Sequence, residues 1–310
     1  MNKKFISTKM KITLLVLLSL SFIFYASGCI VLAQSNYRLS DYSDELHLNT
    51  NSLKYNFNFM NNFLNFTNSY SSHDYNINSN INEIYFNMNS QDIELVNTDD
   101  INLNIKIKGF SSSSYQLNLL ESNNKFTFSP SADIPENAEI IISVPSEISN
   151  RLILKLTTSS GDINLSNVSS NTLNVSSASG DINLSNCDLN YLYTSSSSGD
   201  INLNSVNSYI ETNLYSLSGS IYGTGNFAVL TGTTTSGDIE LTFEDKLNNI
   251  YLNDNSGDIY LYIPSYCGYE VNYNTLFGEL NSSEGIMTNG DRSNAININT
   301  TSGDLSIQLK

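Results

Sequence analysis

The sequence predicts an all-β protein, a parallel β-solenoid built from coils of about 19 residues. Three observations predict it. A Ser-Gly-Asp-Ile corner keeps returning, apolar and polar residues alternate around each copy, and helix-favouring residues are scarce beside Asn, Ser, Thr, Tyr and Ile.

The first element is an export signal. Lys3, Lys4, Lys9 and Lys11 precede an uncharged apolar run of 22 residues, Ile12 to Ala33, long enough to cross a bilayer as a helix. Asp41, Asp44 and Glu45 follow it, which orients the N-terminus to the cytoplasm. Residues 1–34 thus read as a transmembrane or signal segment. An uncleaved anchor predicts a single-pass protein of the cell membrane with its C-terminal domain extracytoplasmic. Cleavage after Val31-Leu32-Ala33 predicts secretion. Ala26-Ser27-Gly28-Cys29 has the form of a bacterial lipobox, which would lipidate Cys29. All three place the rest of the chain outside the cytoplasm.

Residues 35–80 form an Asn- and Tyr-rich linker or a loosely paired first segment, with short alternations such as Tyr55-Asn56-Phe57-Asn58-Phe59. Residues 81–150 read as strands. Ile84-Tyr85-Phe86, Ile93-Glu94-Leu95, Leu103 to Ile107, Phe126-Thr127-Phe128 and Ile140-Ile141-Ile142 are separated by turn-forming residues. A solenoid leaves open strand edges at its ends, and this leading region is placed to cap one of them.

Residues 151–310 carry the repeat. Its full copies centre on Gly161-Asp162, Gly180-Asp181, Gly199-Asp200, Gly237-Asp238, Gly257-Asp258 and Gly303-Asp304, with degenerate copies at Gly219 and Gly278. The glycine-to-glycine steps are 19, 19, 20, 18, 20, 21 and 25 residues. Seven residues before the glycine, seven of the eight copies are apolar, and Thr212 is the exception. Two residues after it all eight are apolar, from Ile163 to Leu305. Each period therefore holds about two short strands with one buried face, and stacked coils share one core. The corner glycine is expected to supply a positive φ, and the aspartate to bond a nearby backbone N–H. A longer echo accompanies the repeat, since Val144-Pro145-Ser146 precedes Gly161 much as Ile263-Pro264-Ser265 precedes Gly278.

The repeat also places the cysteines. Cys187 falls where neighbouring coils carry Val168 and Val206, so it reads as a small buried hydrophobe. Cys267 lies about four coils away, roughly 19 Å at strand spacing, too far for a disulfide.

The net charge of −16 excludes nucleic acid as a partner. Polysaccharide-active β-helix enzymes need clustered acids with a basic or imidazole partner. The only histidines, His47 and His73, precede the repeats, and the only arginines are Arg38, Arg151 and Arg292. No catalytic residue, cofactor or metal site is assigned. The repeated aspartates raise one alternative, a calcium-stabilised module. Carboxylates about 4.8 Å apart repel by about 0.9 kcal/mol in water, which a cation ladder would relieve, but the Gly-Gly-x-Gly-x-Asp pattern of calcium repeats is absent. Outward-facing Tyr251, Tyr260 and Tyr262 form a candidate binding face for a sugar or a partner protein.

The apolar anchor, the early strand region, the Val-Pro-Ser lead-in and the Ser-Gly-Asp-Ile corners together resemble the bacterial putative-adhesin family of β-strand-repeat proteins, a domain of unknown function. The resemblance covers roughly residues 80–310. It implies a right-handed solenoid at the bacterial cell envelope, no reaction and no catalytic residue. The expected partner is an envelope component, either a wall glycan or a membrane protein.

Overall fold

The structure is a computed structural model that describes residues 69–77, 80–109, 115–282 and 287–310. The export segment and most of the linker lie outside the described residues. Among the described residues no helix is long and apolar enough to cross a membrane.

The strands run in chain order as β1 (Ser69–Tyr75), β2 (Glu83–Asn87), β3 (Asp92–Thr98), β4 (Leu103–Gly109), β5 (Asn118–Ser122), β6 (Lys125–Ser129) and β7 (Glu139–Pro145). A single helical turn, α1 (Ser146–Ser149), follows. Then come β8 (Ile153–Thr158), β9 (Ile163–Ser166), β10 (Ser169–Ser177), β11 (Ile182–Ser196), β12 (Ile201–Ser216), β13 (Ile221–Phe227), β14 (Leu230–Thr234) and β15 (Ile239–Phe243). The chain closes with β16 (Ile250–Asp254), β17 (Ile259–Ile263), β18 (Tyr269–Asn274), β19 (Leu280–Ser282), β20 (Thr288–Asn289), β21 (Asn294–Thr300) and β22 (Leu305–Leu309). β1 thus falls inside the stretch read from sequence as linker, where it pairs antiparallel with β4.

Two parallel ladders flank the Ser-Gly-Asp corner. After the corner, the stacked residues are Ile140, Ile93, Ile163, Ile182, Ile201, Ile221, Ile239, Ile259, Leu305 and Leu280. Before it they are Phe126, Ile84, Leu154, Leu173, Leu192, Thr212, Leu230, Ile250, Ile296 and Val271. These side chains are buried or nearly so, apart from the partly buried Leu280, so each coil contributes a slice to one continuous apolar core. Where a coil offers no side chain, its neighbour fills the space. A Cβ on Gly223 would meet Leu241 Cδ2 at 2.7 Å, and one on Gly232 would meet Leu252 Cδ2 at 2.7 Å.

Stacking order departs from chain order at both ends. The coil of β2 and β3 lies between that of β6 and β7 and that of β8 and β9. At the other end, β21 and β22 insert between β16/β17 and β18/β19. The two proline lead-ins mark these crossings. Pro145 ends β7 and Pro264 follows β17, each directly where the chain leaves its ladder and skips one coil position. Proline has no N–H to continue a ladder and so suits a strand exit. The outer edge of β7 is covered by antiparallel β4, and that of β6 by β5 through the two-residue turn Asn123-Asn124. Both turn residues have positive φ, at 48° and 65°, as a tight hairpin demands.

The expected positive φ at the corner glycines is not found. Among the described residues the positive-φ glycines are Gly225 and Gly290. Within the stack, positive φ instead recurs at a second corner, six residues after the glycine, at Asn167 (54°), Asn186 (53°), Ser205 (53°) and Gly225 (150°). Asparagine tolerates that conformation better than most residues.

Candidate functional site

The corner glycines are required by closeness, not by φ. A Cβ on Gly180 would sit 2.0 Å from the carbonyl oxygen of Gly161, and one on Gly199 would sit 2.2 Å from that of Gly180. The same contact recurs from Gly219 to Gly199, Gly237 to Gly219, Gly257 to Gly237, Gly303 to Gly257 and Gly278 to Gly303. A Cβ on Gly161 would sit 2.1 Å from the carbonyl oxygen of Gln91. The corners therefore form a backbone-on-backbone column with no room for a side chain.

Aspartates run beside this column. Asp92 accepts the N–H of Asp162 at 2.8 Å, Asp162 that of Asp181 at 2.9 Å, and Asp181 that of Asp200 at 2.8 Å. Asp200 accepts from Ser220, whose hydroxyl accepts from Asp238. Asp238, Asp258 and Asp304 continue the chain to Glu279. Each carboxylate thus caps the next coil rather than its own, and charge-assisted bonds to backbone N–H offset the repulsion along the row. Among the described residues no three His, Cys, Asp or Glu side chains gather as a metal cage.

A second ladder escaped the sequence reading. Three residues before the glycine stand Thr158, Ser177, Ser196, Ser216 and Thr234, all buried. Each hydroxyl accepts the N–H of its own glycine and donates to the carbonyl of the preceding corner, as Ser177 does at 2.8 Å from Gly180 and 3.2 Å to Gly161. The signal was a recurrent Ser or Thr at one fixed offset. In the next coil Asp254 replaces the hydroxyl. It is 5% exposed and accepts the N–H of Gly257 at 2.5 Å. Burial pushes its carboxyl up to about 6, Asp238 adds to the rise, and the backbone N–H groups of Gly257, Ser256 and Asn255 oppose it.

The tyrosines proposed as one face are divided. Tyr251 lies on β16, before the corner, whereas Tyr260 and Tyr262 lie on β17, after it. Tyr251 stacks in register with Thr231 and Asn297, and Tyr260 with Glu240 and Ser306. Alternation points all three away from the core, with Tyr251 exposed and Tyr260 and Tyr262 half-buried, but it carries no information on which ladder each strand joins. Tyr260 donates to Asp258 at 3.2 Å, and the Asp258 charge holds its phenol above the usual range.

Tyr251 belongs to a longer outward row. Register links Thr127, Tyr85, Lys155, Asn174, Tyr193, Asn213, Thr231 and Tyr251 across successive coils. Tyrosine recurs on it every third coil, about 14 Å apart at strand spacing. On the other ladder, Asn183 donates to Asn164 and Asn202 to Asn183, each at 2.9 Å.

The remaining candidates are engaged structurally. The His73 ring lies 2.7 Å from the Tyr115 carbonyl, and Arg151 donates to the Ile81 carbonyl. His47 and Arg38 lie outside the described residues, as does Cys29. Cys187 and Cys267 are buried free thiols, and burial pushes Cys187 up to about 11.

Comparison with known proteins places this geometry. A solved structure of a putative adhesin from Bacteroides fragilis covers 77% of this chain and 97% of its own length, with a TM-score of 0.51 and 14% identity. A putative cell adhesion protein from Clostridium sporogenes matches over 78% of this chain and all of its own, at 12% identity and a TM-score of 0.27. No curated protein sequence matches the chain. The β-repeat architecture is thus shared with the first of these structures, and the family described as Toastrack DUF4097 matches residues 81–308. The chain belongs to the Toastrack DUF4097 family.

Proposed function

We propose that the protein is a non-catalytic, envelope-anchored, extracytoplasmic scaffold that holds outward rows of Tyr and Asn side chains in fixed register for adhesion. The observation that carries the reading is the corner column with its aspartate and hydroxyl ladders. These fix the spacing of every outward side chain without engaging any of them in chemistry. Tyrosine offers a flat apolar face with a polar tip, suited to sugars and to protein surfaces alike. The Bacteroides fragilis protein of similar fold is a putative adhesin, in keeping with this use of the fold.

The test is co-sedimentation of the purified protein with isolated cell-wall and membrane fractions across salt and calcium concentrations. Retention by one fraction, lost on replacing Tyr260 and Tyr262 by Ala, supports the reading and locates the face on β17. Retention by neither fraction sinks it, and hydrolysis of wall glycan by the pure protein replaces it with an enzyme.

A further inference from the structure

We infer that the groove on the outer face of β2, β8, β10 and β11 is a binding site for an acidic glycan, a sugar chain bearing carboxylate or phosphate groups. The inference deepens the scaffold reading and rests on it. The groove has a volume of about 410 Å³ and is bounded by Tyr85, Lys125 and Lys155 at one end and by Tyr193 and Asn213 at the other. Asn174 and Ser176 line it between them. Tyr85 and Tyr193 stand three coils apart on the same outward row, about 14 Å at strand spacing, which suits a short oligosaccharide lying along the stack.

Charge selects the ligand. C-terminal to Lys155 the sequence holds three Lys or Arg against sixteen Asp or Glu, so most of the repeat repels anions. The groove is different. Lys125 and Lys155 share one carboxylate, Glu83, at 2.8 and 3.3 Å. Burial works to raise Glu83, but the two ammonium groups outweigh it and hold the carboxyl below its usual range, so it stays ionised. Two ammoniums around one carboxylate leave a net charge of +1 at this end. At the far end Glu211 accepts from the Tyr193 hydroxyl at 3.4 Å and the Asn213 amide at 2.6 Å, so the anionic group of the ligand is assigned to the Lys125 and Lys155 end. Each ammonium has three N–H donors, and Glu83 engages one from each. Lys125 also lies 4.8 Å above the Tyr85 ring, which fixes both side chains. The Asn174 amide and the Ser176 hydroxyl offer neutral donors and acceptors to sugar hydroxyls, and Tyr193 a ring for a pyranose face. The outward row on the other ladder carries Glu240 and Tyr260 beside Asp258 and would repel the same ligand.

The full chain is titrated calorimetrically at physiological salt with polygalacturonate oligomers, with a glycerol-phosphate polymer and with neutral dextran. Binding of either anionic polymer and not of dextran is expected. Carboxylate-only binding assigns a uronic acid chain, and phosphate-only binding a phosphate-bearing polymer. Lys155→Gln should weaken the interaction about tenfold, the loss of one charged hydrogen bond. Ser176→Trp, which fills the groove from an outward position, should abolish it, and Tyr266→Ala, in the exposed turn after β17, should leave it unchanged. Binding of dextran as tightly as the anions, no binding of either anion, or binding indifferent to Lys155→Gln and Ser176→Trp overturns the inference. If wall retention survives Lys155→Gln but is lost with Tyr260 and Tyr262, the groove assignment fails and the scaffold reading stands.

Discussion

The middle of the stack and its two ends solve the same packing problem by different chain routes. From Gly161 to Gly257 the coils stack in the order in which they occur in the chain, and each corner glycine meets the carbonyl of the one before it. At the ends the order is exchanged, so Gly161 rests on Gln91, and Gly278 on Gly303. Gln91 takes the place of a corner glycine yet carries a full buried side chain, whose amide reaches the Pro135 carbonyl. The comparison shows that the glycine requirement belongs to the surface a corner stacks upon. Where the neighbouring coil carries a corner, only hydrogen fits. Where the chain diverges, as it does beyond β3, a side chain is accommodated.

The largest effect is expected when Gly199→Ala is set against Gln91→Ala. The new methyl on residue 199 would lie 2.2 Å from the Gly180 oxygen and 2.9 Å from the Asp181 nitrogen. Both are backbone atoms of the corner between β10 and β11, held on either side by hydrogen-bonded strands, and cannot turn aside. A loss of at least about 3 kcal/mol is expected by urea denaturation, at the high end for a single substitution. Gln91→Ala forfeits two side-chain bonds, one donated to the Pro135 carbonyl and one accepted from the Asn89 N–H, and should cost about 2 kcal/mol. Equal costs at the two positions would refute the column as the origin of the recurrent spacing between corners.

The same contrast explains what could be read from the sequence. In the middle, the period and the alternation survive because stacking order equals chain order, so Ile163, Ile182 and Ile201 announce one buried row. At the ends the crossing hides the neighbours. Nothing in the spacing of Ile84 and Ile93 says that they pack beside Leu154 and Ile163, and only the two proline exits and the final 25-residue step hint at it. The three tyrosines divide between two ladders for a related reason. Period-two alternation reports inside from outside, but the assignment of Tyr251 to one ladder and Tyr260 to the other depends on the corner between them. The groove at Lys125 and Lys155 was illegible because it joins β2, β6 and β8, strands far apart in the chain.

A second test sets Asp254 against the hydroxyls it replaces. Its folded-state value of about 6 lies above the unfolded value of about 3.9. The native state therefore binds more protons across that window, so stability contributed by this group is present at low pH. It falls as pH rises from about 4 through about 6 and stays low above. Asp254→Thr restores the hydroxyl found at Thr234 and removes the buried charge. At pH 7.5 it should stabilise the protein by roughly 2 kcal/mol, and the gain should shrink on going to pH 4. A gain independent of pH would mean that Asp254 is ionised at neither pH or equally at both.

A smaller effect is expected at the aspartate ladder. Asp200→Ala leaves the N–H of Ser220 without its 2.8 Å acceptor, at a cost of about 1 kcal/mol, similar to the loss of a helix cap. Because each carboxylate already has a backbone donor, melting curves with calcium and with a chelator should coincide. A chelator-sensitive melting temperature that Asp200→Ala abolishes would instead make the row a cation ladder.

The smallest change is expected at Cys187, where the middle coils are most alike. Its register partner in the next coil is Val206, both are fully buried, and Val168 occupies the same site on the other side. Cys187→Val exchanges one small apolar group for another of slightly larger volume between two valines, so the shift in stability should stay below about 1 kcal/mol. The thiol itself should resist a maleimide reagent in the native protein, since burial both blocks access and holds the group protonated, near 11. Labelling should rise only as the stack opens in denaturant, which turns Cys187 into a reporter of cooperativity. If the coils unfold together, its labelling midpoint will match the global transition. If the crossed ends open first, Cys267, on the coil that leaves chain order, will label at lower denaturant than Cys187.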